Sequence, residues 1–168
     1  MLKFFYISLF LFLFFPYSLS EDRNKVISGN AIVIDGDTIK IKGASIRLFG
    51  IDAPEKKQIC YKDNKPYNCG HVSTKFLKRI INDTIKVDCY YKNKDRYKRI
   101  IAKCFSHINK KKERLNLNYM MVRNGHAIDY KRYSKGEYSQ AENIAKKERV
   151  GIWSGKFERP EDWRRKYK

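Results

Sequence analysis

Acidic residues are scarce in this sequence. It has 18 Asp and Glu against 37 Lys and Arg, and its formal net charge is +19. So large an excess in a small chain predicts a polyanionic partner, such as nucleic acid, an anionic membrane or lipopolysaccharide. Lys and Asn are abundant throughout, so compositional bias accounts for part of the charge. It does not account for the grouping of four acids within 21 positions: Asp35, Asp37, Asp52 and Glu55.

The sequence also lacks an apolar run of about 20 residues, the length of a typical membrane span. Its longest such run, at 4–15, follows Lys3 and precedes Pro16 and a small-residue end. This order predicts a signal peptide at 1–20 and an exported domain at 21–168, either periplasmic or secreted. An uncleaved N-terminal anchor is the alternative. The basic tail from about residue 156 is predicted to be mobile, and we expect a monomer.

Cysteines are few, and none forms a C-x2-C pair, which argues against a zinc site. An exported chain with four cysteines is expected to form disulfides, for which the sequence allows three connectivities. We favour Cys60–Cys69, which would close a polar loop at 56–70. We also favour Cys89–Cys104, which would link two paired strands.

The apolar pattern predicts short strands at 32–34, 39–42, 45–51, 85–91 and 99–105. Helical spacing is found at 72–81, 116–123 and 137–149. No internal repeat is evident. The predicted fold class is α+β and mainly β, a five-stranded OB-fold barrel with three helices.

Two acidic clusters lie at strand ends, at 35–37 and 52–55, with Arg47 between them. Grouped carboxylates predict a hard cation bound by oxygen ligands. A cation beside an arginine indicates chemistry on a phosphate. Each feature alone has a structural alternative, such as a hairpin turn at 35–37, an Arg47–Asp52 ion pair or a cap at Glu55.

Further motifs follow in a fixed order: 95–99 (DRYKR), Asn118 with Gly125, Ala141-Glu142, and Gly151-Ile152-Trp153. Together with the acidic clusters they cover residues 26–155, and the chain resembles the staphylococcal nuclease family. The resemblance implies an OB-fold barrel and a calcium-dependent nuclease that acts on DNA and RNA and leaves 3′-phosphate products.

The resemblance also implies a role for each matched residue. Asp37, Asp52 and the backbone carbonyl of Ala53 would bind Ca²⁺. Glu55 would be the general base, and Arg47 and Arg99 would bind the phosphate. The implied substrate contacts are Arg96 and Tyr97, and Tyr130 and Tyr133 are alternatives for a second tyrosine that stacks on the nucleotide.

Two positions depart from the family pattern. Lys98 stands in a tight turn where glycine is common, and Ala53 replaces a threonine but keeps its carbonyl. The first alternative function is a catalytically weak OB-fold protein that binds single-stranded nucleic acid. The second is a cationic protein that binds anionic lipid. His71, His107 and His126 match no functional position, and we interpret them as structural or surface residues.

Overall fold

The computed structural model describes residues 25–82, 84–108 and 114–167. The predicted signal peptide therefore lies outside the described residues. The strands are β1 (Lys25–Gly29), β2 (Ala31–Asp35), β3 (Thr38–Ile41), β4 (Ala44–Leu48), β5 (Ile51–Asp52), β6 (Ile59–Lys62), β7 (Lys65–Asn68), β8 (Thr84–Lys94), β9 (Ile100–Ile108), β10 (Arg114–Asn116) and β11 (Ile128–Asp129). The helices are α1 (Cys69–Asn82), α2 (Leu117–Arg123), α3 (Lys131–Ser134), α4 (Ser139–Lys147) and α5 (Pro160–Tyr167), with a 3-10 turn at Gly151–Ser154.

The main sheet has the strand order β1-β8-β9-β4-β3-β2, and β10 pairs with β9. β4 and β9 are parallel, whereas the other pairs in this sheet are antiparallel. Within the described residues, β1 and β2 are the two ends of this hydrogen-bonded order. The predicted α+β, mainly β class and the OB-fold are confirmed, with more short strands and helices than the sequence indicated.

The core lies between the sheet and the helices. Alternate residues of β3 and β4 point inward, so Ile39, Ile41, Ile46 and Leu48 are fully buried. Leu77 of α1 belongs to the same core, as do Leu117, Met121 and Val122 of α2. Because the inward side chains fix the strand register, they also fix where each strand ends and where the polar residues of 35–37 and 52–55 emerge.

Both favoured disulfides are present, Cys60–Cys69 and Cys89–Cys104. Cys89 and Cys104 are directly opposed in the β8–β9 ladder, with their Cα atoms 4.1 Å apart. None of the helices in the described residues is long and apolar enough to cross a membrane.

The predicted polar loop at 56–70 is wrong in part, because it contains the β6–β7 hairpin. Asp63 and Asn64 have φ angles of 50° and 60° and form a two-residue connection that suits a hairpin. The hairpin was hard to recognise because residues 62–66 (KDNKP) are of types common in loops. The Cys60–Cys69 disulfide joins this hairpin to the start of α1.

The prediction of a mobile tail from about residue 156 is also wrong. Lys156 pairs with Tyr61 in an isolated antiparallel bridge, and α5 follows. Pro160 opens the helix, a position that tolerates its missing N–H. Glu161 and Asp162 occupy the first turn and Arg164, Arg165 and Lys166 the last, which suits the helix dipole.

Candidate active site

One cavity of about 1070 Å³ lies where the ends of β2, β4 and β5 meet the turn at 95–99, α3 and α5. Every predicted site residue except Asp52 lines it. These residues are Asp37, Arg47, Ala53, Glu55, Arg96, Tyr97, Arg99, Tyr130 and Tyr133. Asp52 is completely buried, and its carboxylate contacts two arginines of the cavity wall. The fold therefore brings together residues that are up to 96 positions apart in the sequence.

Arg47 joins the two acidic clusters. One guanidinium nitrogen contacts the Asp37 carboxylate, and the other lies 2.9 Å from Asp52 Oδ1. That second nitrogen also donates to the Ile51 carbonyl at 3.2 Å. Burial opposes the charge of Arg47, but Asp37 and Asp52 outweigh it and raise its pKa above the ordinary value. Arg47 is thus fixed as a cation, with its side chain 18% exposed.

The turn at 35–37 holds Asp37 against the second cluster. Asp37 Oδ2 accepts a hydrogen bond from the Ala53 backbone N–H at 3.0 Å, and Asp35 Oδ1 accepts one from the Asp37 N–H at 3.1 Å. A Cβ at Gly36 would lie 2.3 Å from Ser73 Oγ, so glycine allows this close approach to α1. Burial and the neighbouring Asp37 raise the pKa of Asp35 to about 6. Asp35 acts here as a turn residue.

Arg164 of α5 is a site residue that the sequence analysis missed. Its Nη1 and Nη2 lie 2.8 and 2.9 Å from the two Asp52 carboxylate oxygens, and Nη1 is also 3.0 Å from Glu55 Oε1. Burial opposes its charge, but these two acids raise its pKa above the ordinary value. The one available signal was the composition of 160–166, where a proline and two acids precede three bases.

Asp95 organises the turn that carries Arg99. Its Oδ1 accepts hydrogen bonds from the backbone N–H groups of Tyr97 and Arg99, each at 2.9 Å. Its Oδ2 accepts a bond from Arg99 Nε at 2.7 Å. Burial alone would raise the pKa of Asp95, but the hydrogen bonds from Arg99 and Tyr97 lower it. The Arg99 side chain is thereby held at the cavity wall.

Three tyrosines present rings to the cavity. Tyr97 is 64% exposed, and the guanidinium groups of Arg96 and Arg99 lie 4.8 and 5.5 Å from its ring centre. Tyr130 and Tyr133 pack edge to face with their ring centres 4.8 Å apart. Exposed rings beside cations are suited to stacking on nucleobases.

The acidic clusters offer oxygen ligands suited to a hard cation such as Ca²⁺. In the described residues, no group of three His, Cys, Asp or Glu side chains is arranged as a ready metal site. The carboxylates of Asp37 and Asp52 are instead contacted by Arg47 and Arg164, respectively. Asp52 and Glu55 both contact Arg164, so their carboxylates lie where one positive group can meet both of them. The donor chemistry therefore fits calcium, although Arg164 uses both Asp52 oxygens.

The histidines lie apart from this chemistry. His126 stacks on Phe76 with ring centres 4.0 Å apart, and burial lowers its pKa to about 4. His107 Nε2 lies 2.6 Å from Asp88 Oδ2. His71 is exposed at the start of α1, and none of the three lines the cavity.

The acidic clusters and the arginines share one cleft of an OB-fold. This combination is typical of proteins that bind phosphate groups. The family model described as staphylococcal nuclease homologue matches residues 45–155, and the chain belongs to the staphylococcal nuclease family.

Of three relatives with similar sequences, two are named as nucleases. The chain is 35% identical over 128 residues to succinoglycan biosynthesis protein ExoI of Rhizobium meliloti (strain 1021), covering 76% of this chain and 64% of that protein. It is 32% identical over 155 residues to an uncharacterized endonuclease of Escherichia coli, covering 89% of each. It is 31% identical over 150 residues to the probable staphylococcal-like nuclease CAN2 of Oryza sativa subsp. japonica, covering 88% of this chain and 35% of that protein.

Proposed function

We propose that the protein is a calcium-dependent endonuclease that hydrolyses phosphodiester bonds of DNA and RNA. The observation that carries this proposal is the convergence of Asp37, Arg47, Glu55 and Arg99 on one cavity. Family membership and relatives named as endonucleases support it. A protein that only binds nucleic acid has no need of a carboxylate base beside two arginines.

Asp37, Asp52 and the backbone carbonyl of Ala53 would hold Ca²⁺. When bound, the ion would neutralise phosphate charge and orient the group. Arg47 and Arg99 would each donate paired N–H groups to phosphate oxygens and stabilise the charge that develops on them.

Glu55 would accept a proton from a water molecule as that water attacks phosphorus. The bond from phosphorus to the 5′ oxygen would break, and the leaving oxygen would take up a proton. The products would be a 3′-phosphate and a free 5′-hydroxyl, the outcome that the family resemblance implies. Tyr97, Tyr130 and Tyr133 would contact the nucleotides, together with Arg96.

Export is part of the proposal. The apolar run at 4–15 and the two disulfides support removal of residues 1–20 and function of 21–168 in an oxidising compartment. N-terminal sequencing of the mature protein should begin at Glu21, and a protein that still begins at Met1 would contradict this. We expect the mature chain to be a monomer.

A digestion assay tests the activity. Purified 21–168 is incubated with single- and double-stranded DNA and with RNA, in calcium or in chelator, and the product ends are analysed. We expect cleavage of each substrate only with calcium, and 3′-phosphate ends. Intact substrate in calcium would refute the proposal, and retained binding without cleavage would favour the single-stranded nucleic-acid binder.

Glu55→Gln tests the proposed base. It keeps a similar shape but removes the proton acceptor, so we expect activity to fall by a factor of about 10² to 10⁴. Glu148→Gln is a matched control, because Glu148 pairs with Arg123 on the exposed surface. Undiminished cleavage by Glu55→Gln would rule out this role for Glu55.

A further inference from the structure

The segment before α5 is attached to the body of the protein by specific polar contacts. Tyr61 and Lys156 exchange backbone hydrogen bonds of 2.8 Å in each direction. The buried Gln58 donates from Nε2 to the Glu158 carbonyl at 2.6 Å. Pro160, the first residue of the helix, is buried. These contacts place α5 at the cavity.

α5 directs Arg164 at the acids of the proposed calcium site. Its two terminal nitrogens bond the two Asp52 oxygens in a fork, and one of them reaches Glu55. The Asp52 carboxylate also accepts a bond from Arg47. Asp52 is completely buried, and both of its carboxylate oxygens are contacted by these arginines.

A hard cation and this guanidinium therefore need the same oxygen atoms. Ca²⁺ requires direct carboxylate oxygen contacts at about 2.3 to 2.6 Å. A guanidinium forked onto both Asp52 oxygens crowds them, and its positive charge repels a cation brought that close. Arg47 pairs with both Asp37 and Asp52. Asp52 therefore keeps a cationic partner when Arg164 leaves it.

We propose that Arg164 is a built-in competitor of the divalent cation, and that it must leave Asp52 before the cation binds. The inference rests on the calcium site of the proposed function and adds a contact that regulates cation binding there. With Arg164 on the acids, α5 covers the site. When the cation binds, Arg164 is released into the cavity and α5 loosens.

Cation affinity measures this competition without relying on cleavage. The mature 21–168 chain, freed of metal by chelator and desalting, is titrated with CaCl₂ by calorimetry. Arg164→Gln removes the competing charge, so we expect its dissociation constant to be about tenfold lower, because the binding-competent fraction rises. Arg164→Lys keeps the charge but loses the fork, so we expect an intermediate value.

Lys166→Gln is the matched control. It removes the same charge from the same helix, but Lys166 lies 3.9 Å from Glu158 and makes no contact with Asp52 that the structure shows. We expect its calcium affinity to stay within about twofold of the wild type. Equal affinities for wild type and Arg164→Gln would overturn the inference, as would tightening of equal size in Lys166→Gln.

Trp163 is next to Arg164, so its fluorescence reports movement of α5 in a protein whose Arg164 is not mutated. Trp153→Phe leaves Trp163 as the only tryptophan. We expect its fluorescence emission to change on CaCl₂ addition with the same midpoint as the calorimetric titration. Unchanged emission at saturating calcium would overturn the inference.

The digestion assay separates the two proposals. A wild-type protein that cleaves with calcium while Arg164→Gln binds calcium no more tightly would leave the nuclease proposal intact and refute the competition. Failure of both wild type and Arg164→Gln to bind calcium would refute the competition directly, whatever the cleavage result.

Discussion

Lys98 has a φ angle of 63°, in the left-handed region that favours glycine. The turn accepts this conformation because Asp95 binds the backbone on both sides of it, at Tyr97 and Arg99. The sequence already marked Lys98 as a departure at a glycine position. The turn nevertheless keeps Arg99 at the cavity, since the hydrogen bonds come from Asp95 and do not depend on residue 98.

We expect Lys98→Gly to stabilise the protein by about 1 kcal/mol, because glycine adopts this φ without the steric cost. Lys98→Asn removes the same charge and tolerates the conformation better than lysine, so it should be neutral or slightly stabilising. Lys98→Val should destabilise. Urea unfolding measures the unfolding free energy of the three variants and of the wild type. A Lys98→Gly protein less stable than the wild type would contradict the prediction.

His126 makes stability depend on pH. Its pKa falls from 6.5 to about 4 on folding, chiefly through burial, so the unfolded chain binds a proton more readily. This contribution is complete above about pH 6.5 and is lost as pH falls toward 4, by up to about 3 kcal/mol. The measurement is the unfolding free energy at pH 7 and pH 4.5.

His126→Phe should reduce the loss between these two pH values, since phenylalanine keeps the ring stacked on Phe76 without titrating. His71→Gln is the control, because His71 is exposed. A His126→Phe protein that loses as much stability as the wild type would show that His126 is not responsible.

Residues 35–55 could be predicted from the sequence because strand ends, turn residues and grouped acids are local signals. The contacts of Arg47 with Asp37 and Asp52 depend on strand register. The alternation of apolar residues along each strand constrains that register strongly. Arg164 could not be predicted this way. Its contact with Asp52 spans 112 positions and depends on how α5 docks, which no short-range pattern encodes.

At the scale of elements, each disulfide links two neighbouring segments of the fold. Cys89–Cys104 joins β8 to β9, the longest pair in the sheet, and Cys60–Cys69 joins the β6–β7 hairpin to α1. The polar and turn-forming residues at 62–66 made that hairpin resemble a loop, and a basic composition made α5 resemble a mobile tail. In both cases tertiary contacts outweigh composition.

Replacing Cys89 and Cys104 together by alanine should lower the unfolding free energy by about 3 kcal/mol, because the unfolded chain regains the freedom of a 15-residue loop. Urea unfolding measures the change. The oxidised wild type is also compared with the wild type in reductant, which opens both disulfides. We expect the reduced protein to lose more unfolding free energy than the double variant does. A double variant as stable as the oxidised wild type would show that the Cys89–Cys104 disulfide does not stabilise the protein.

For the whole molecule, the charge excess and the acidic site act at different ranges. We expect the net charge of +19 to draw in a polyanion from a distance, and the acids at the cavity to act only on the phosphate that enters it. Composition alone predicts the first property, since that prediction requires no knowledge of the fold. The second required the fold, because only the OB-fold brings residues 37, 55 and 99 together.

We expect affinity for a labelled single-stranded oligonucleotide to fall steeply with salt. A log–log plot of the binding constant against NaCl concentration should have a slope of about −0.7 for each phosphate contacted. Fluorescence anisotropy of Glu55→Gln in chelator avoids cleavage during the measurement. A slope near zero would show that the positive surface does not capture nucleic acid by counterion release.

The Tyr61–Lys156 bridge has a consequence for maturation. It fastens the segment leading to α5 onto a hairpin that is itself closed by Cys60–Cys69. Such a bond forms after a chain leaves a reducing compartment. In a chain that is still reduced, the hairpin is less constrained, and the anchor of the last helix is weaker. We therefore expect oxidation to strengthen the covering of the acidic site, so the newly made and the oxidised protein should differ in how readily that site accepts an ion.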